Sequence, residues 1–426
     1  MGRMIAARVT DHERLAAAMA AAVTQTRYPS YAVWDAPSVT QGNAGQAMLC
    51  AYLDSCFPDE GWDRVAHDHL MRAVRVAERR PRMSPSIFGG ISGIALTAAL
   101  LARDGTRYRR LRHSLDARLL PDVFAGARAL AAASAGMPVS QFDLISGLAG
   151  VAAYLLRPTA TGESSAALEP ALQGLATLAQ VIDGRPRWHT PPYLMHDEGM
   201  ARQYPQGNLN LGLAHGIPGP LAVMSMGLLQ GHEHDGVRSA VQTLATWLME
   251  WRCDDEWGVN WPTVVDLRAI ASRSGDGIRP GPSRAAWCYG SPGVARALWL
   301  AGCALGDEAA KQTAVEGMTA IYRRPIAERR INSPTFCHGI AGLLQVTTRF
   351  AADTGLPVFA EAAQTLTRQL LATCDPCLLL GVANTEQDGT LVDQPGVLDG
   401  ATGVAMTLLA VGTGVEPAWD RLFALA

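Results

Sequence analysis

Seven times along this chain a Gly-x-x-Gly pair opens a run of small and apolar residues. The first glycines are Gly42, Gly90, Gly147, Gly216, Gly290, Gly339 and Gly400, spaced 48, 57, 69, 74, 49 and 61 residues apart. One such pair carries little information. Seven, each heading an apolar segment, define an internal repeat. Between them lie amphipathic segments of helical periodicity, such as "DRVAHDHLMRAVRVAERR" from Asp63, "GVRSAVQTLATWLMEWR" from Gly236 and "PVFAEAAQTLTRQLLAT" from Pro357. Each repeat is therefore a helical pair, one member apolar nearly all round and the other with a polar face. Apolar faces on every side favour closure over an open stack. The expectation is an all-α, double-layered α,α-toroid, with seven inner and about seven outer helices. Glycine allows close backbone approach, so the turns should gather at one end.

Two stretches depart from the repeat. The segment from about 158 to 208, with "GRPRWHTPPYLMHDEGMARQYPQGNLN", is rich in proline and turn residues and reads as an irregular or short-β insertion within a single domain spanning 1–426. "DDEWGVNWPTVVDL" from Asp254 reads as a β-hairpin with Gly258, Val259 and Asn260 near its turn. The N-terminus, "MGRMIAARVTDHERLAAAMAAAVTQ", reads as one amphipathic helix. Asp11, His12, Glu13 and Arg14 interrupt any apolar core that a secretion signal would need.

A net charge of −3 from 36 basic and 39 acidic residues leaves no electrostatic footprint for nucleic acid and no polybasic anchor. The longest apolar stretches, such as "ISGIALTAALLA" from Ile91, are too short for a membrane span. A soluble cytoplasmic protein is expected.

Residues beside crowded turns are themselves brought together. These are Asp143, His215, Cys288, Cys337 and His338. Of eight cysteines, Cys288 and Cys337 each stand two residues ahead of a first glycine, and His338 adjoins one of them. Two sulfurs and one imidazole suit zinc, with a fourth position open for a ligand. Two thiolates would neutralise the ion and leave a third, substrate thiolate electron-rich. Buried, unligated cysteines fit the same spacing, so both readings stand at this point. In the same way His215 reads as an acid–base residue or as a structural histidine, and Asp143 as its partner or as a helix cap. Cys374 and Cys377 form a Cys-x-x-Cys without the βαβ surroundings of a redox motif. Trp261, Trp287 and Trp299 read as core or cavity wall.

At "WCYGSPG" (287–293), "CHGIAG" (337–342), "LGLAHGIPG" (211–219) and "DLISGLAG" (143–150), the chain resembles the lanthionine synthetase C-like family, the cyclases of lantibiotic biosynthesis. The resemblance implies an α-toroid and one zinc ion per chain. It also implies a reaction: intramolecular addition of cysteine thiols to dehydroalanine or dehydrobutyrine in a precursor peptide, giving lanthionine or methyllanthionine. The family's zinc ligands fall on Cys288, Cys337 and His338, and its other active-site positions on His215, Asp143, Arg284 and Tyr289. His215 is the expected acid or base, Asp143 its orienting carboxylate, and Arg284 a partner for an enolate oxygen. The implied partners are a dehydrated precursor peptide with its leader, and a dehydratase and a transporter of a biosynthetic complex. That complex is also the expected route to any membrane association. Related alternatives are addition of glutathione to dehydrated peptides, prenyltransferase-like alkylation of a zinc thiolate, and a peptide-binding scaffold with structural zinc.

Overall fold

A computed structural model describes residues 1–29, 32–103, 105–157, 162–195, 197–272 and 281–426. They form two compact units: Met1–Asp116 with Arg330–Asp420, and Ala117–Arg329 with Arg421–Ala426. Helices dominate both, and the strands come in three antiparallel pairs of two or three residues each.

Every Gly-x-x-Gly pair opens a helix, as the repeat implies. In the first unit these are Asn43–Cys56, Ile91–Leu100, Ile340–Thr354 and Ala401–Thr413; in the second, Leu148–Leu155, Pro218–Leu229 and Ser291–Leu305. They are buried along most of their length. In Pro218–Leu229, for example, every residue from Pro218 to Leu228 is buried. The partner helices keep one wet face: Trp62–Glu78, Asp235–Glu250, Glu308–Arg323 and Pro357–Ala372 each bury only a stripe.

The glycines answer to backbone crossings six residues upstream. A β-carbon on Gly293 would stand 2.5 Å from the carbonyl oxygen of Trp287. One on Gly290, whose φ is +115°, would fall on the carbonyl of Arg284. Filling such a contact forces the turn apart, at a cost of about 1–3 kcal/mol. The turns are then laced to one another by main-chain hydrogen bonds. In the first unit Val39 N–H donates to Phe88 O (2.8 Å), Val397 N–H to Thr40 O (2.8 Å) and Cys337 N–H to Leu398 O (2.9 Å). In the second, Leu144 N–H donates to Ala214 O (3.2 Å) and Ala214 N–H to Cys288 O (3.3 Å).

The seventh apolar helix, Ala401–Thr413, is followed only by a 3₁₀ turn, Ala418–Phe423. Its packing partner comes from the other end of the chain. Helix Gly2–Thr10 lies against it, with Gly2 close enough to Ala405, Leu408 and Leu409 that a side chain there would crowd them. The N-terminal segment is thus not one helix. Asp11 breaks it in extended conformation (φ −75°, ψ 118°), and its carboxylate caps a second helix, His12–Gln25, by accepting from Glu13 and Arg14 N–H at 3.0 Å each. A cap of this kind is worth about 1 kcal/mol.

The span 158–208 contains more regular structure than its composition suggests. Residues 158–161 and 196 lie outside the described residues. Helix Leu168–Ala176 buries Leu168, Ala171, Leu172 and Leu175 and packs on Leu148–Leu155 as an ordinary repeat partner. A two-residue turn at Asp183 and Gly184, both at positive φ, joins strands Val181–Ile182 and Arg185–Pro186. Strand Asn208–Asn210 then pairs with Val264–Asp266. That pairing corrects the hairpin expected from Asp254. The local hairpin is confined to 253–260, where Asp255 and Gly258 bridge across a turn centred on Glu256 and Trp257 and Cys253 N–H donates to Asn260 O at 2.7 Å. Pro262 offers no N–H to continue the ladder, and the strand beyond it turns to Asn208–Asn210 instead.

Trp261 and Trp287 are wholly buried, with their indole N–H groups on Leu248 O (2.8 Å) and Phe423 O (3.0 Å). Trp299 is half-buried.

Candidate active site

In the second unit, Asp143 serves two neighbours with its two oxygens. It is 1 % exposed. Its Oδ1 accepts from Ser146 and Gly147 N–H at 2.7 Å each, which closes the third glycine turn. Its Oδ2 accepts from His215 Nδ1 at 2.6 Å. Asp143 thus closes the turn ahead of the helix and also holds His215, while the N-cap position itself belongs to Gly147. A carboxylate can only accept, so Nδ1 carries the proton and Nε2 keeps its lone pair. The imidazole is 38 % exposed, so it is anchored on a buried charge yet reachable from outside. Its backbone is clamped as well, because Ala214 bonds on one side to Leu144 and on the other to Cys288.

Tyr289 joins this pair. Its ring centroid is 6.5 Å from that of His215, with the planes 35° apart. Asn210, buried, donates from Nδ2 to the Tyr289 oxygen (3.1 Å) and accepts from Gly212 N–H (2.9 Å). Gly212 has to be glycine here, since a β-carbon would lie 2.5 Å from Tyr289 Cε1. Cys288 is buried at 6 % exposure, one residue ahead of Tyr289. Arg284 is half-buried at the start of the same loop.

In the first unit, Cys337 and His338 stand at the sixth glycine turn. The seventh turn brings Asp399 to them. Leu398 O accepts from both Phe336 N–H (3.0 Å) and Cys337 N–H (2.9 Å), and this holds the two backbones side by side. One ligand atom from each of Cys337, His338 and Asp399 then lies within 4.8 Å of the others. Asp399 Oδ1 is buried, has no hydrogen-bond partner among the described residues, and lies 3.3 Å from His338 Nδ1. A thiol, an imidazole and an orphaned carboxylate oxygen converging so closely form a group that can hold a metal ion. The fit is chemical as well as steric, since soft sulfur and borderline nitrogen are zinc's customary donors. Cys288 belongs to the other unit, with His215 and Tyr289.

Other cysteines have a different character. Burial pushes the Cys253 thiol up to about 11 and raises the Cys50, Cys56 and Cys374 thiols too. At neutral pH they stay protonated and inert.

Residues 33–424 match the family described as lanthionine synthetase C-like protein. The chain belongs to the lanthionine synthetase C-like family. Among its relatives, the nisin biosynthesis protein NisC of Lactococcus lactis subsp. lactis is 25 % identical over 315 residues, which are 74 % of this chain and 73 % of that protein. A solved structure of nisin cyclase matches with a TM-score of 0.79 at 20 % identity, covering 92 % of each chain. That likeness gives the fold, an α-toroid with small strand insertions. Among the described residues no helix is long and apolar enough to cross a membrane.

The structure brings together His215, Asp143 and Tyr289 in one unit and Cys337 and His338 in the other, and it adds Asn210 and Asp399 beside them, which the sequence did not single out. Asn210 carries no local signal, because its role comes from a strand pairing. Asp399 did carry one. It immediately precedes the first glycine of its turn, as His215, Tyr289 and His338 do in the three turns before it.

Proposed function

We propose that this chain closes thioether rings in a dehydrated precursor peptide, adding cysteine thiols to dehydroalanine or dehydrobutyrine to give lanthionine or methyllanthionine. Membership of the family supports the reaction class, and the one observation that carries it to these residues is the His215–Asp143 pair at 2.6 Å, anchored inside and open outside. In this reading residues 1–426 work as one cyclase domain with about 158–208 inserted. Cys288, Cys337 and His338 would hold one zinc ion, and the convergence of Cys337 and His338 supports that set. When bound, the ion would favour the thiolate form of a substrate cysteine near neutral pH.

The atoms balance without a co-reactant. A carbon–sulfur bond forms at the β-carbon, the carbon–carbon π bond becomes an enolate, and the α-carbon takes up one proton. His215 Nε2 is the group that moves this proton, receiving it from the thiol or returning it to the α-carbon. Asp143 steadies the imidazolium while it carries the charge. The Arg284 guanidinium and the Tyr289 phenol would stabilise negative charge on the enolate oxygen. The substrate partner is the leader-bearing precursor, and a dehydratase must act before this chain can. A transporter would complete the assembly, working in the cytoplasm and at the membrane only through that complex.

The test is to incubate the purified chain with a dehydrated precursor containing free cysteines, then treat it with an alkylating reagent. Cyclisation leaves the mass unchanged and protects one cysteine per ring from alkylation. Full alkylation after incubation contradicts the proposal. A mass gain equal to added glutathione points to intermolecular addition instead and contradicts the intramolecular reading.

A further inference from the structure

We infer that Asp399 is the positioning residue of His338, its carboxylate accepting from Nδ1–H so that Nε2 keeps the lone pair available to a metal. The inference rests on the proposed role of His338 as a metal ligand and adds a residue to that site.

Three observations lead to it. The first is repeat position. His215, Tyr289, His338 and Asp399 all immediately precede the first glycine of their turns. The fold therefore delivers Asp399 to the end of its turn that carries site residues in the three preceding repeats. The second is anchoring. Leu398 O accepts from Phe336 and Cys337 N–H, and Gln394 Nε2 donates to the Asp399 carbonyl at 2.7 Å. The backbone beneath the carboxylate is held from both sides and registered against the ligand-bearing turn. The third is an unmet need. Asp399 Oδ1 is closed off from water and lacks a hydrogen bond among the described residues, with His338 Nδ1 3.3 Å away.

A buried acceptor without a donor is costly, and the imidazole N–H is the donor within reach. An ordinary surface ion pair would leave both oxygens hydrated and contribute almost nothing, whereas here the Oδ1 that faces His338 is closed off while the rest of the side chain stays exposed. A carboxylate behind a ligating histidine fixes the tautomer, fixes the ring orientation and raises ligand basicity. Asp143 does the same for His215 in the second unit, at 2.6 Å. The same device thus appears twice, once behind the proton carrier and once behind the metal ligand.

The experiment measures zinc affinity of the full chain by competition with a chromophoric chelator, and the absorption of the cobalt(II)-substituted protein. Wild type, Asp399→Ala and Asp399→Asn are compared, with circular dichroism to confirm folding. Asp399→Ala should bind zinc about 10–100-fold more weakly. Asp399→Asn, isosteric and still able to accept a hydrogen bond, should fall between. The cobalt bands should keep their positions in both variants, because the donor set is unchanged. Wild-type zinc affinity in both variants overturns the inference, and Asp399→Asn alone decides it should the alanine variant not fold. Shifted cobalt bands also overturn it, by making Asp399 a donor itself. A wild-type chain that binds no zinc removes the metal site as a whole, which is a different failure from loss of the Asp399 effect alone.

Discussion

The two compact units share one kind of turn but carry different side chains on it. In the second unit, the fourth and fifth turns present His215 and Tyr289, and the third supplies the carboxylate behind His215. In the proposed reaction these groups would handle the protons. In the first unit, the sixth and seventh turns bring Cys337, His338 and Asp399 together, with one ligand atom of each within 4.8 Å of the others. The main-chain geometry is alike in both: Leu213 and Val397 carbonyls crowd Gly219 and Gly403 in the same way, and neighbouring turns share N–H···O bonds. What differs is the pair of side chains before the first glycine. Within each unit the turns are tied together by the main chain, and the units differ in which residues occupy the two positions before the first glycine. The other first-unit turns show the default, with Thr40-Gln41 and Gly89 there and no titratable group.

This division can be broken from either side. The largest effect should come from Cys337→Ala, which ought to abolish both bound zinc and ring formation. Elemental analysis and the alkylation assay read the two together, and retention of full zinc would remove Cys337 from the ligand set. Next comes Asp143→Asn. The amide can still cap Ser146 and Gly147, but its NH₂ would face His215 and force the proton onto Nε2. Ring formation should slow by about 10²-fold or more with zinc retained, because the working nitrogen has lost its lone pair. An unchanged rate would mean that the orientation of His215 is immaterial. The smallest effect should be Asn210→Ala, which frees Tyr289 without touching His215 or the cysteines. A loss of about 10-fold in kcat is expected, in line with one hydrogen bond of about 1.4 kcal/mol. A change in KM alone would instead make Tyr289 a substrate-binding group.

Much of this was legible in the sequence, for a physical reason. Glycine pairs at Gly290 and Gly293 are forced by carbonyls six residues upstream, so the turn writes itself into the chain seven times. Apolar helices such as Pro218–Leu229 declare their burial by having no polar face. What depends on distant partners was harder to read. Asp11 looks like one more polar residue in a helix until its carboxylate is seen capping the next one. Val264–Asp266 looks like half of a local hairpin until it pairs with Asn208–Asn210. Asp399 shares the position before the first glycine with His215, Tyr289 and His338, but its closeness to Cys337 and His338 shows only in the registry of the two turns.

The central claim is that the proton carrier, His215, stands on a turn that supplies no metal ligand. It is tested most directly by measuring zinc content and ring formation in the same preparation of His215→Asn. The variant should hold zinc at the wild-type level while closing rings about 10²–10⁴-fold more slowly. Ring closure at the wild-type rate, or loss of the metal along with activity, would contradict the division.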